Sequence, residues 1–225
     1  MGADHTFWYL TRASGFVAYV LLFGSVTLGL LLTTSIPAGL RRFDVFDIHR
    51  FVALLALIVT VFHALIVLPD QFIGFKLSEL LVPFTSPYAQ LYMALGTLAL
   101  YLMAIIIGTF YLRPLVPYSA WRTIHYATFA VYAMALAHGL GAGSDTSLTW
   151  ALGLYAITGG IVIALVAQRL SNGSARGVPV ARRVEATPAA RSTADAATLP
   201  AAFQRPATKD EAQPGYRMWA RPEDR

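Results

Sequence analysis

The chain contains no cysteine in its 225 residues. Disulfides, iron–sulfur clusters and thiolate chemistry are therefore excluded, and thiols say nothing about redox compartment. Charge is almost as scarce: Asp, Glu, Lys and Arg make up 13% of the residues, against about a quarter in an ordinary soluble domain. The few charges gather in short clusters and toward the C-terminus, leaving long apolar runs between them. A polytopic helical membrane protein has this pattern. Strands are not expected within those runs, because an open sheet edge cannot be satisfied in lipid. No internal repeat is evident.

Five segments approach or exceed the roughly 20 apolar residues that cross a bilayer as a helix. They are Trp8–Thr33, Ile48–Leu68, Tyr88–Leu112, Thr123–Leu140 and Leu148–Gln168. Breaks fall at Ser35–Gly39, at Pro83 and Pro87, at Pro114 and Pro117, and from Gly139 to Ser144, where proline and glycine punctuate the chain. The expected fold class is thus all-α: a polytopic membrane bundle of five transmembrane helices over residues 1–170, with a disordered cytoplasmic tail over 171–225. The tail is rich in Ala, Pro, Thr and Arg and cannot bury enough surface to fold alone. Its end, Tyr216 to Trp219, offers two aromatics and a methionine as a docking segment for a partner.

Lys and Arg set the orientation. Arg41, Arg42, Arg50, Arg113, Arg122 and Arg169 fall on one side of the five spans, and only Arg12 and Lys76 on the other. The expectation is an integral protein of a bacterial plasma membrane, with its N-terminus outside and its C-terminus in the cytoplasm. The net charge of +5 is then read as topology and contact with anionic membrane lipid, not nucleic-acid binding. Met1–Thr6 fits a myristoylation pattern, but an outside N-terminus would keep it from use. The start also lacks the basic region of a cleaved signal peptide. The outer stretch Asp70–Pro87 mixes apolar and charged residues and is expected to lie on the outer surface as an interfacial helix.

Four of the five histidines fall in two spans: His49 and His63 in the second, His125 and His138 in the fourth. Ionisable side chains at membrane depth are rare, and each is a functional hypothesis. A histidine bonding a neighbouring helix would explain any one of them, but not readily four in matched positions. Both spans run the same way, and their histidines lie about 20 Å apart along each axis at 1.5 Å per residue. His49 therefore falls level with His125, and His63 with His138. Two neutral imidazoles facing each other across helices suit the two axial positions of a haem iron. Zinc would need three or four converging ligands, and attached haem c would need cysteine. On an ideal helix 14 residues return to within about 40° of the starting face, whereas 13 miss it by about 140°. Span four is thus expected either to be distorted, with Gly139, Ala133, Ala135 and Ala137 permitting it, or to present its histidines on different flanks. Arg50 and Arg122 adjoin the inner pair and suit haem propionates, or simply anchor the span. Tyr118, Trp121 and Tyr126 read as interface aromatics. The outer pair has only Lys76 and Arg12 as weaker candidates, and His5 is read as merely exposed.

These residues, His49-x13-His63 and His125-x12-His138 with Trp121-Arg122-x-x-His125, resemble the ferric-reductase-like transmembrane domain. That family includes the membrane domains of ferric reductases and NADPH oxidases and the haem subunit of the methionine-sulfoxide-reductase system. The resemblance covers about residues 8–170. It implies two stacked b haems, the inner held by His49 and His125 and the outer by His63 and His138. It also implies a subunit conducting electrons across the membrane, by analogy from cytoplasm to outside. Two departures are notable: the oxidases typically have six spans, and their flavin and nicotinamide domains follow the last one. Here no G-x-G-x-x-G or strand pattern follows, so the chain is not expected to oxidise NADPH itself. A redox partner or a quinol would supply electrons. The alternatives left open are a quinol-oxidising cytochrome b subunit of a larger respiratory or photosynthetic complex, and a non-redox scaffold or His-relay carrier.

Overall fold

The computed structural model describes residues 6–33, 41–69 and 74–175, with side chains to 171. His5, the Ser35–Gly39 connection, residues 70–73 and the tail with Tyr216–Trp219 lie outside the described residues. Those described form seven helices and no strand: α1 (Thr6–Thr33), α2 (Arg42–Ile66), α3 (Leu77–Leu81), α4 (Gln90–Tyr111), α5 (Tyr118–Tyr126), α6 (Thr128–Ala142) and α7 (Thr149–Ala175).

Proline sets several boundaries. α2 stops shortly before Pro69 and α4 shortly before Pro114, and Pro117 stands at the N-cap of α5. Proline lacks the N–H that a helix interior requires and disfavours helical geometry in the residue before it. α2 starts six residues earlier than hydrophobicity alone suggests, with Asp44 in its first turn, where a carboxylate complements the helix dipole. His49 and Arg50 consequently sit well inside a helix rather than at its start.

Among the described residues four helices are long and apolar enough to cross a membrane: Thr6–Thr33, Arg42–Ile66, Gln90–Tyr111 and Thr149–Ser171. Their outward faces are apolar as well. Phe51, Ile58, Phe62 and Leu65 on α2 each expose about half of their surface or more, which in water would be a large aggregation-prone patch and in lipid is ordinary.

The segment expected to form span four is not one helix. It divides into α5 and α6 at Ala127. There the backbone N–H bonds Ile124 at 3.0 Å, an i→i−3 contact that tightens the turn. The Thr128 hydroxyl takes the His125 carbonyl, a side chain competing with the helix ladder. The distortion thus lies two residues after His125, not at Gly139 or the alanines before it. Gly139 does something else: a Cβ there would stand 2.7 Å from the Tyr155 hydroxyl oxygen, so its small size admits α7.

The surface segment also differs from expectation. Among its described residues only the single turn α3 is helical, and it is tied to α4. Thr97 and Tyr101 donate their hydroxyls to the carbonyls of Leu80 and Leu81, at 3.1 and 2.5 Å. These side chains satisfy carbonyls at the end of a short helix, which membrane surroundings leave without water.

α1 packs along α2 and α4 along α6; α1 also meets α6 and α7, and α2 meets α4. α2 barely approaches α5 and α6 directly. The core joins Tyr19, Leu22, Val26 and Leu30 of α1 to Ala99, Met103 and Ile106 of α4, Val131 and Tyr132 of α6, and Tyr155 and Val162 of α7. Within it the Tyr19 hydroxyl lies 3.0 Å from that of Tyr132 and 2.6 Å from Thr158 Oγ1. Three helices are thereby pinned at mid-depth by polar groups that satisfy one another.

Candidate cofactor site

The gap between α2 and α5–α6 is bridged by imidazoles. His49 faces His125 with ring centres 6.2 Å apart and planes at 80°. His63 faces His138 at 6.3 Å and 78°. All four sequence-selected histidines are thus brought together, in two cross-helix pairs. Among the described residues no three His, Asp or Glu side chains converge; the potential ligands come in twos.

Three of the four rings are fixed by one device. His49 Nδ1 lies 2.9 Å from the Ser25 carbonyl, His63 Nδ1 2.9 Å from that of Thr11, and His138 Nδ1 2.9 Å from that of Tyr92. Each acceptor precedes a glycine by four residues: Gly29, Gly15 and Gly96. A Cβ at Gly29 would stand 3.3 Å from His49 Cε1, one at Gly15 2.9 Å from His63 Cε1, and one at Gly96 2.7 Å from His138 Nδ1. The missing side chain lets the ring settle against the neighbouring helix and reach a carbonyl already used within it. An imidazole donating through Nδ1–H carries its free lone pair on Nε2. Gly15 and Gly29 are 14 residues apart, as are His63 and His49, because α1 and α2 run antiparallel. The glycines were not singled out from the sequence; their matching spacing was the available signal.

His125 is held differently. Its ring stacks on Trp121, with centres 5.1 Å apart and planes at 24°, and its nitrogens have no hydrogen-bond partner among the described residues. The register that sets Gly96 against His138 would set Thr109, not a glycine, against His125. Trp121 therefore belongs to the site, beyond its reading as an interface aromatic.

A cavity of about 470 Å³ opens beside the inner pair. His49 and His125 line it together with Arg50, Trp121, Arg122 and Arg169, the last not chosen from sequence for this role. Arg50 lies 3.7 Å from Asp47, and Arg122 is turned onto Tyr126. Four further lining residues, Leu22, Ala56, Met103 and Val131, are buried. Ala56 lies seven residues from each histidine of α2, and Leu22 seven from each glycine of α1. Such spacing keeps a residue on nearly the same helix face, so this apolar layer lies between the two histidine levels.

Among the described residues no cationic rim of this kind is found at the outer pair. Arg12 is engaged elsewhere: its Nε donates to Asp145 at 2.6 Å and its Nη2 forms an ion pair with the same carboxylate. Its guanidinium also lies 4.0 Å from the Trp8 ring centre. Lys76 caps α3, its backbone N–H donating to Glu79 at 3.1 Å. Among the described residues neither forms a hydrogen bond or ion pair with a histidine.

Comparison with protein-family models and with curated proteins gives no match for this chain.

Proposed function

We propose that the chain is a transmembrane b-type dihaem cytochrome that passes electrons between two stacked haems, His49 and His125 holding the inner and His63 and His138 the outer. In this reading it is the membrane subunit of a ferric-reductase-like system, and α5 with α6 makes a fifth, broken span. It sits in a bacterial plasma membrane with its N-terminus outside, between an electron donor (a cytoplasmic reductase or a quinol) and an acceptor on the other side.

One observation carries the reading: two imidazole pairs at equal separation, with Nδ1 anchored on three of the four rings. Two metal–imidazole bonds of about 2.0 Å, plus about 1 Å from each nitrogen to its ring centre, add to about 6 Å. The ring separations of 6.2 and 6.3 Å agree with that sum. The scant direct contact between α2 and α6 leaves room for a flat group, and the glycines give the rings the cradle they need.

When bound, haem iron would supply one-electron oxidation and reduction. The chain's own residues do the rest. The carbonyls of Ser25, Thr11 and Tyr92 fix ring orientation and direct Nε2 toward the gap. Leu22, Ala56, Met103 and Val131 keep the space between the two levels dry. Arg50 would offset carboxylates on the inner side and bias the cofactor's orientation, while Arg122 is turned onto Tyr126.

The test is the visible spectrum of the purified protein before and after dithionite. A b-type α band is expected, falling by about half when His63→Ala or His138→Ala removes one of the two centres. A colourless protein from haem-replete cells overturns the reading.

A further inference from the structure

Two guanidinium groups converge on a single phenol at the edge of the cleft between α5–α6 and α7. Arg122 Nε donates to the Tyr126 hydroxyl at 3.1 Å and Arg169 Nη2 at 3.4 Å. Both guanidinium carbons also approach the Tyr126 ring, to 5.8 and 5.5 Å from its centre. Among the described residues neither arginine has a carboxylate partner, since the two ion pairs there use Arg12 and Arg50. Like charges gathered around a neutral group repel one another, and an anion between them would relieve this.

The space beside them indicates which anion. A groove of about 400 Å³ is lined by Tyr126, Phe129, Val166, Arg169 and Leu170. Arg169 is its one charged wall, and its other walls are apolar or aromatic. A soluble phosphate would use the arginines and leave the rest uncovered. An amphiphile with an anionic head uses both, because apolar contact and head-group charge each contribute to binding.

We propose that this groove is a binding site for an anionic phospholipid. Its phosphate lies on Arg122 and Arg169, and an acyl chain runs over Phe129, Val166 and Leu170. Tyr126, Phe129 and Arg169 also line the cavity beside His125, so the lipid borders the inner histidine pair. The assignment does not rest on the dihaem reading, and its test needs no cofactor.

The full-length chain is reconstituted in nanodiscs of equal phosphatidylglycerol and phosphatidylcholine, and retained lipid is counted by native mass spectrometry after transfer to detergent. One phospholipid per chain is expected. At about fivefold per arginine, phosphatidylglycerol should be enriched roughly 25-fold. Arg169→Gln should lower that enrichment about fivefold, while Arg169→Lys keeps most of it. Val166→Trp, which fills the groove and leaves the charges intact, should abolish retention. Equal retention of the two lipids, or retention indifferent to both Arg169→Gln and Val166→Trp, overturns the proposal. Displacement of the lipid by inorganic phosphate alone would identify a soluble-anion site and overturn it as well.

Discussion

At the scale of residues, the histidine positions depend on side chains that are absent. Adding a methyl group at Gly15 would bring it to 2.9 Å from His63 Cε1, and at Gly29 to 3.3 Å from His49 Cε1. Overpacking of this kind costs about 1–3 kcal/mol, and here it would fall on one ring at a time. In the dihaem reading proposed above, Gly15→Ala is therefore expected to diminish the outer haem signal and Gly29→Ala the inner, each read as loss of one component in a redox titration followed optically. Equal loss of both components in either variant would show that the glycines serve general packing. Trp121 gives a complementary case. Trp121→Phe keeps a ring against His125 and should retain the inner component, whereas Trp121→Leu should lose it. Reduced-minus-oxidised spectra of the two variants separate a stacking role from simple volume.

At the scale of elements, the helix pairs are joined by close approaches that tolerate little added bulk. A Cβ at Gly141 would press into the Tyr92 ring, where α6 crosses the residue whose carbonyl holds His138. Gly141→Ala should therefore push α6 from α4 and lower the thermal stability of the detergent-solubilised protein, by about 1–3 kcal/mol. Gly24→Ala is the control: its new methyl would meet only Val52 Cγ1, at 3.9 Å, which is ordinary contact, and a melting temperature near that of the parent is expected. The division between α5 and α6 belongs to this scale as well. The 13-residue spacing of His125 and His138 called for either a distorted helix or histidines on different flanks, and that much was legible in the chain. Where the helix would break was not, because the Thr128 hydroxyl and the Ala127 turn compete with the ladder only once the local geometry exists.

At the scale of the whole molecule, the ion pair of Arg12 with Asp145 closes α1 onto the connection between α6 and α7. Asp145 is buried, so Asp145→Asn would leave the arginine uncompensated. A loss of up to about 3 kcal/mol is expected, measured as faster thermal aggregation in detergent, and Arg12→Leu combined with Asp145→Leu should recover part of it. Topology is open to direct measurement because the chain has no cysteine of its own. With the N-terminus outside, a cysteine introduced at the exposed Thr85 should react with an impermeant maleimide on intact cells, and one at the exposed Ser119 only after permeabilisation. The reverse pattern would invert the orientation inferred from the arginines.

The sequence by itself determined the apolar helices long enough to cross a membrane, the helical class and the level each histidine shares with a partner. All of these follow from composition, span length and rise per residue, which are local properties. Only the tertiary structure decided which carbonyl each ring meets, that three rings rest on Gly15, Gly29 and Gly96, that His125 rests on Trp121 instead, and that Arg12 belongs to Asp145. These depend on the register between helices distant in sequence. That register is set by how side chains, or their absence, fit across a packed interface, and no property of one helix alone contains it.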